Sequence, residues 1–155
     1  MNNVDILLVE DNPDDAELTL RALRPLLTLD TLGSAEGVLH AEDGARAIDY
    51  MFGTGEFSDR DIRMLPKVIL LDMKLPKVDG LEVLRRIKSD DRTRGVPVVM
   101  LTSSSEVRDV RKSYEYGVNS YVVKPVSFDD YIAKVAAVGR YWLNFNRCIS
   151  KDVRD

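Results

Sequence analysis

The stretch LLVEDNPDD (residues 7–15) joins an apolar run to a group of carboxylates with one proline among them. The apolar run is typical of a strand that is covered on both faces, as in a parallel sheet. Asn12 before Pro13 is typical of a helix N-cap followed by proline at the first helical position, and the two acids after them suit a first turn. The stretch therefore predicts a strand, a loop that begins with Glu10 and Asp11, and a helix.

Four further apolar runs repeat this pattern, and segments with helical spacing lie between them. Strands that alternate with helices predict right-handed crossovers and layered packing. The fold class we expect is α/β, a flavodoxin-like doubly wound sheet of five parallel strands flanked by five helices. The predicted strands are Val4 to Val9, Val38 to Ala41, Val68 to Leu71, Val96 to Leu101 and Tyr121 to Val123.

Apolar residues at helical spacing mark the helices. The last helix, at about 127–146, is the longest, and its aromatic ending (Tyr141, Trp142 and Phe145) extends beyond what a domain of this size needs to cover. Such aromatics can mark a partner surface, for which a twofold homodimer is the simplest arrangement, or they can belong to the core. The apolar stripes are Ala16, Leu20, Leu23 and Leu27; Leu81, Leu84 and Ile87; Val107, Val110 and Tyr114; and Phe128, Tyr131, Ile132, Val135 and Val138.

Length and composition favour one soluble domain over residues 1–155. Hydrophobic residues make up 45% of the chain and charged residues 31%, which is an ordinary globular balance. Residues 53–66 do not fit a minimal five-unit domain and predict a surface loop after the second helix.

The chemistry of the chain also argues against several classes of protein. The formal net charge of −4 disfavours nonspecific binding to nucleic acid. No apolar run approaches the roughly 20 residues needed to cross a bilayer, and the N-terminus lacks the features of a signal peptide. Cys148 is the only cysteine, so an intrachain disulfide is impossible. We expect a cytoplasmic protein that binds neither nucleic acid nor membrane.

Polar side chains follow four of the five predicted strands. Glu10 and Asp11 come after the first strand, Asp72 after the third, Thr102 after the fourth and Lys124 after the fifth. One such residue alone would usually be a turn or capping residue. Because ligands of open parallel sheets bind at the carboxyl ends of the strands, five such residues together predict a functional site.

Three carboxylates at one sheet edge repel one another unless a cation compensates them. Mg²⁺ fits best, since it prefers oxygen ligands and often binds phosphate oxygens as well. Zinc fits poorly, because His40 (interpreted as packing within its strand) and Cys148 form no ligand cluster. A divalent ion beside a carboxylate, a lysine and a hydroxyl is typical of phosphoryl transfer, with Asp72 the best candidate for the nucleophile.

Four motifs of the chain resemble those of a known family. They are LLVED (7–11), LLDMKLPKVDG (70–80), LTSS (101–104) and YVVKP (121–125). They are similar to the four signatures of the CheY-like receiver domain of bacterial response regulators, in the same order and across nearly the whole chain. The resemblance implies that Asp72 accepts a phosphoryl group from a sensor histidine kinase or a phosphotransfer protein in a two-component phosphorelay. It implies no enzyme in the ordinary sense, although the domain promotes its own phosphorylation and dephosphorylation.

The resemblance also assigns the residues around this phosphoacceptor. Asp11 and Asp72 would hold Mg²⁺ together with the backbone carbonyl of Lys74, and Glu10 would act through water. No other cofactor is implied.

The switch residues follow from the same resemblance. Thr102 and Tyr121 match the pair whose inward movement reports phosphorylation, and Lys124 would contact the phosphoryl group. The Lys124–Pro125 peptide bond is expected to be cis.

Within the family, the chain resembles small single-domain response regulators of phytochrome histidine kinases. This likeness rests on residues 53–66, on the ending Tyr141-Trp142-Leu143 and on the lack of an output domain. Lys74 departs from the smaller polar residue often found in relatives, so we expect an altered phosphoryl lifetime, and Ser104 is expected to face the same region.

Three alternatives share parts of the pattern. A haloacid-dehalogenase-like aspartyl phosphatase would need a second aspartate where Lys74 stands. A flavodoxin-like flavin-binding protein would need a phosphate cradle where the acids of residues 10–15 lie. A metal-dependent adaptor that is not phosphorylated would leave Asp72, Thr102 and Lys124 unexplained.

Overall fold

Five parallel strands form the centre of the molecule in the computed structural model, which describes residues 4–27 and 37–148. Their order in the sheet places the first strand between the second and third, followed by the fourth and fifth. This doubly wound order confirms the predicted fold class. The strands are β1 (Ile6–Val9), β2 (Val38–Ala41), β3 (Val68–Leu71), β4 (Val98–Thr102) and β5 (Ser120–Val123).

Helices connect the strands and cover both faces of the sheet. Asn12 caps the first helix, since its side chain accepts hydrogen bonds from the N–H groups of Asp14 (2.9 Å) and Asp15 (3.1 Å); this confirms the predicted N-cap. The helices are α1 (Pro13–Leu23), α2 (Gly44–Phe52), α3 (Gly80–Lys88), α4 (Val107–Glu115) and α5 (Phe128–Arg140), with 3₁₀ turns at Arg24–Leu26 and Gly55–Phe57 and a π-helical turn at Tyr141–Phe145.

Two apolar layers form the core, one on each face of the sheet. Leu7 and Val9 of β1 belong to the layer that contains residues of α2 and α3. Ile6 and Leu8 belong to the layer that contains residues of α1 and α5. This division follows from the two-residue period of a strand, and it explains why β1 and β3 are apolar at every position.

The strand register brings the carboxyl ends of three neighbouring strands to one edge. Val9 at the end of β1 pairs with Ala41 of β2 on one side and with Leu71 of β3 on the other. The residues that follow these three strands therefore lie side by side at the same edge of the sheet.

Two predicted apolar stripes differ from the structure. Helix α1 ends at Leu23 and not at Leu27, because Pro25 cannot donate the hydrogen bond that a continuing helix needs. In α4, Val107 is 70% and Tyr114 53% exposed. The buried side of α4 is centred on Ser113, about 100° around the helix from Tyr114.

The C-terminal stripe is only partly buried. Tyr131 and Val135 are buried as expected, but Phe128 is 72% exposed. Phe128 has the helical phase of the buried stripe, so its exposure reflects its position as the first residue of α5. In the π-helical turn, Trp142 packs against the layer of α1 and α5 while Phe145 is 71% exposed.

Residues 53–66 pack against α2. Gly53 ends α2 in the left-handed region (φ 66°), which glycine adopts without strain. The ring of Phe57 then meets Tyr50 of α2 edge to face at 5.2 Å, and the guanidinium of Arg60 lies 3.9 Å above the Tyr50 ring. The predicted surface loop is thus a side-chain-packed segment.

No helix in the described ranges combines the length and apolar character that a membrane span requires.

Candidate functional site

Three carboxylates meet at the carboxyl edge of the sheet. Glu10 and Asp11 follow β1, and Asp72 follows the neighbouring strand β3. One carboxylate oxygen from each lies within 4.8 Å of the other two, an arrangement that can hold a metal ion. Glu10 is buried, Asp72 is half-buried and Asp11 is exposed. The group therefore opens to solvent on the side of Asp11.

Lys124 lies at the centre of these acids. Its ammonium, on a side chain that is 8% exposed, donates to Glu10 Oε1 at 2.5 Å, Asp15 Oδ2 at 2.8 Å and Asp72 Oδ2 at 3.1 Å. The carbonyl of Thr102 fixes the backbone of this lysine, because it accepts the Lys124 N–H at 2.7 Å. Strands β1, β3 and β5 and helix α1 are thus joined by one cation.

Asp15 is a member of this cluster that the sequence did not reveal. Its position in the first turn of α1 suggested only a helix-dipole role, yet its side chain reaches Lys124. The available signal was its spacing from Thr19 and Ala22 within α1, since four and seven residues make about one and two helical turns. Both residues are buried, so Asp15 lies on the side of the helix that faces the sheet.

The charges of the cluster perturb one another. Burial raises the pKa of Glu10 to about 7, the hydrogen bond from Lys124 opposes this rise, and the charge of Asp72 adds to it. Burial alone would lower the pKa of Lys124, but its hydrogen bonds to Asp15 and Glu10 raise that pKa above its usual value. The site also holds one ammonium among four carboxylates (Glu10, Asp11, Asp15 and Asp72), and this excess of negative charge fits a site for a further divalent cation.

Thr102 and Tyr121 are linked through Ser104. Thr102 is buried, and its hydroxyl oxygen accepts the N–H of Ser104 at 3.4 Å. The half-buried Tyr121 donates its hydroxyl to the Ser104 carbonyl at 2.8 Å. The Ser104 hydroxyl instead donates to Asp109 of α4 at 2.5 Å. The Ser104 hydroxyl is thus engaged by α4, and the expectation that Ser104 faces the region of the acidic site stays a prediction.

The loop after Asp72 is held down by a close backbone approach. Gly80 donates its N–H to the carbonyl of Met73 at 2.8 Å. A Cβ atom at Gly80 would lie 2.1 Å from the carbonyl oxygen of Asp72. Only glycine permits this approach. Lys74 lies on this loop with its side chain exposed.

The peptide bond after Lys124 differs from the expectation. Over the ranges 4–27 and 37–148 no peptide bond is cis, so the Lys124–Pro125 bond is trans. The trans form is the usual one for bonds that precede proline.

A parallel sheet of this order, with an acidic cluster and a buried lysine at its carboxyl edge, defines a phosphoacceptor domain of the response regulator type. Residues 6–136 match the family model of the response regulator receiver domain. The chain belongs to this family.

Several known proteins resemble the chain over most of its length. The probable methanogenesis regulatory protein FilR2 of Methanothrix harundinacea is 43% identical over 142 residues, which are 92% of this chain and 85% of that protein. The response regulator Rcp1 of Synechocystis is 36% identical over 138 residues, which are 89% of this chain and 88% of that protein.

Two solved structures share the fold closely. The Mn²⁺-bound form of Rcp1 has a TM-score of 0.82 and 34% identity, over 94% of this chain and 98% of that one. The phosphorylated cyanobacterial phytochrome response regulator RcpA has the same TM-score and identity, over 97% of this chain and all of that one.

These findings establish the general function. The chain is a phosphoacceptor of two-component signalling and not a classical enzyme. Its acidic cluster fits divalent metal binding, and its partners are of the histidine kinase class. The aspartyl phosphatase and flavin-binding alternatives are thereby set aside.

Proposed function

We propose that Asp72 is the phosphoacceptor of this response regulator. One observation carries this proposal: the Asp72 carboxylate lies in the group of acids that can hold a metal ion and 3.1 Å from the ammonium of Lys124. Its side chain is 13% exposed, so a phosphohistidine can reach it while most bulk water is kept away. A bond forms between an Asp72 oxygen and phosphorus as the phosphorus–nitrogen bond of the donor breaks.

Mg²⁺ is the metal proposed for this site, held by Asp11, Asp72 and the backbone carbonyl of Lys74, with Glu10 acting through water. Hard carboxylate oxygens suit this ion, and Mn²⁺-bound Rcp1 supports a divalent cation. When bound, Mg²⁺ would offset the negative charge of the phosphoryl oxygens.

Lys124 and Thr102 are proposed to receive the phosphoryl group. Phosphorylation adds about −1.5 to −2 charges next to acids that are already incompletely compensated. The Lys124 ammonium would give up one of its hydrogen bonds to a carboxylate and donate to a phosphoryl oxygen instead. The Thr102 hydroxyl would donate to a second phosphoryl oxygen. As part of the same proposal, the domain promotes both its own phosphorylation and its own dephosphorylation.

Tyr121 is proposed to carry the signal to the surface. When the Thr102 hydroxyl moves inward, it releases the N–H of Ser104, whose carbonyl holds Tyr121. The Tyr121 ring is then free to turn inward, which changes the surface of α4, β5 and α5. This is a shift between two packings, limited by the difference in affinity of the phosphoryl group for each.

The partner is proposed to be a phytochrome histidine kinase, or a phosphotransfer protein that serves one. Similarity to Rcp1 and to the phytochrome response regulator RcpA supports this proposal. We place the protein in the cytoplasm, with residues 1–155 forming a single receiver domain that acts through protein contacts and not through nucleic acid or membranes.

A homodimer through the region of residues 127–146 is proposed as the signalling assembly. Phe128, Tyr141 and Phe145 are 72%, 49% and 71% exposed, and all lie on α5 or its π-helical extension. Covering these aromatics would remove apolar area from water.

Labelling with acetyl phosphate and Mg²⁺ tests the phosphoacceptor. We expect wild type to be phosphorylated, Asp72→Asn to lose the label, and Asp79→Asn, an exposed acid on the same loop, to keep it. Beryllofluoride with Mg²⁺ should bind to wild type and to Asp79→Asn but not to Asp72→Asn. Absence of label in wild type, or equal labelling of Asp72→Asn, would contradict the proposal.

A further inference from the structure

The main chain of Glu10 is buried beyond the end of the β1–β2 ladder. The parallel pairing ends at Val9 and Ala41, and Glu10 is only 2% exposed. Its N–H still reaches the carbonyl of Ala41 at 3.0 Å. Its carbonyl must find a donor outside the ladder, since an unpaired buried carbonyl is costly.

The imidazole of His40 supplies this donor. Its Nε2 lies 2.7 Å from the carbonyl oxygen of Glu10. Because a carbonyl oxygen can only accept, Nε2 carries the hydrogen. His40 pairs with Leu8 in the register, so its side chain reaches forward from within β2 to the first residue of the acidic loop.

The backbone of His40 is also held in place. Arg46 of α2 donates from Nη1 to the backbone carbonyl of His40 at 2.6 Å and from Nε to Glu56 at 2.8 Å. The arginine therefore links His40 to the packed segment 53–66. A donor held in this way restricts the orientation of the peptide between Glu10 and Asp11.

We infer that His40 is a positioning residue for the acidic site, acting through the Glu10 carbonyl. The carbonyl and the following peptide plane set the direction in which the Asp11 carboxylate leaves the chain, and Asp11 is an expected Mg²⁺ ligand. The role as simple strand packing, which the sequence suggested, would require no donor at this position. The inference rests on the proposed function, since it concerns the affinity of the same site.

Mg²⁺ titration of paired variants tests this role. His40→Gln keeps an N–H donor, and its affinity should stay within about twofold of wild type. His40→Leu removes the donor, and we expect about tenfold weaker Mg²⁺ binding, as for other residues that orient metal ligands. The rate of phosphorylation at limiting Mg²⁺ should fall in parallel and recover at saturating Mg²⁺.

Lys88→Met is the matched control. Lys88 donates to backbone carbonyls at the opposite edge of the sheet, so its loss should lower stability without changing Mg²⁺ affinity. Equal affinity of His40→Leu and wild type would overturn the inference, and so would equal losses in the Leu and Gln variants. If wild type itself neither binds Mg²⁺ nor accepts label, the proposed function fails instead.

A measurement on wild type does not depend on how the variants fold. His40 is the only histidine in the chain, so long-range ¹H–¹⁵N spectra of the untagged protein contain one imidazole. We expect the Nε2–H tautomer, and we expect its signals to shift when Mg²⁺ is added. An Nδ1–H tautomer, or signals that do not move while Mg²⁺ binds, would overturn the inference.

Discussion

Lys124 holds Glu10, Asp15 and Asp72 in one partly buried ionic cluster. Its long side chain reaches across the ends of β5, β3 and β1, and the acids would repel one another without it. Lys124 is thus both a structural counter-ion and the proposed ligand of the phosphoryl group. The stability of the domain should therefore depend on whether Mg²⁺ is bound at the site.

Lys124→Met should therefore destabilise the metal-free protein by about 2 kcal/mol, below the usual cost of breaking a fully buried pair because Asp15 is partly exposed. Millimolar Mg²⁺ binds the acids of the native state and should therefore stabilise both proteins. It should restore more stability to the variant, because there no Lys124 ammonium compensates these acids. Urea unfolding with and without Mg²⁺ measures both effects. Lys112→Met, an exposed control on α4, should behave like wild type; an equal Mg²⁺ gain in all three proteins would contradict the prediction.

Lys74 lies two residues after the proposed phosphoacceptor, and its exposed side chain can move over the phosphoryl group. Lys74→Asn should accelerate dephosphorylation roughly threefold, or about 0.7 kcal/mol in barrier, by opening the path for water. Decay of the labelled protein measures the rate. Lys77→Asn is the control, since Asn tolerates the left-handed backbone of Lys77 (φ 66°). An unchanged decay rate for Lys74→Asn would remove the proposed role.

The start of α3 packs closely against the backbone that follows β3, and we expect this contact to position Asp72. Gly80→Ala would place a Cβ atom 2.1 Å from the Asp72 carbonyl oxygen and 2.7 Å from that of Met73. Backbone atoms cannot move aside as side-chain ends can, so the loop must shift. We expect a loss of about 2 kcal/mol in stability and slower phosphorylation.

Gly139→Ala is the matched control for that change. The added methyl group there meets only the side-chain ends of Leu23 and Leu26, which can adjust. Its phosphorylation rate should equal that of wild type. Normal phosphorylation of Gly80→Ala would show that the position of Asp72 does not depend on this contact.

Lys88 ties the end of α3 to the starts of β4 and β5. Its ammonium donates to the carbonyls of Arg94 and Val96 and to Asn119 Oδ1, and burial lowers its pKa from 10.5 to about 8. Between pH 8 and 10.5 the unfolded state binds more protons than the native state at this group, so stability rises with pH in that window.

This group should contribute about 1 kcal/mol to the rise, because its partial exposure reduces the full effect. Urea unfolding at pH 8 and pH 10 measures the slope, and the slope should be smaller in Lys88→Met than in wild type or Lys134→Met. Identical slopes in the three proteins would exclude Lys88 as its source.

The exposed aromatics of α5 and its extension begin four residues after Lys124 of the acidic cluster, and the proposed switch links the two regions. Beryllofluoride with Mg²⁺ should increase the dimer fraction in sizing and light-scattering measurements. Phe145→Ser should shift the protein towards monomer by about tenfold in dissociation constant, about 1.4 kcal/mol. Val107→Ser, an exposed apolar residue on α4, is the control; a monomer under all conditions would contradict the dimer.

The architecture and most of the acidic site could be predicted from the amino-acid sequence. Apolar runs such as Val68–Leu71 and helical stripes such as Leu81, Leu84 and Ile87 are local patterns, and their alternation is sufficient to predict the doubly wound sheet. Because parallel strands end at one edge, Glu10, Asp11 and Asp72 had to converge there once the fold was known.

The contacts between these residues, and the burial of individual apolar residues, depend on the three-dimensional packing and could not be predicted. The contacts of Asp15 with Lys124, of His40 with the Glu10 carbonyl and of Tyr121 with the Ser104 carbonyl join groups that lie far apart in the chain. Phe128 has the phase of a core residue but lies at a helix end. Local spacing determines the direction in which a side chain leaves its element, whereas contact and burial depend on the register and separation of elements that the three-dimensional packing sets.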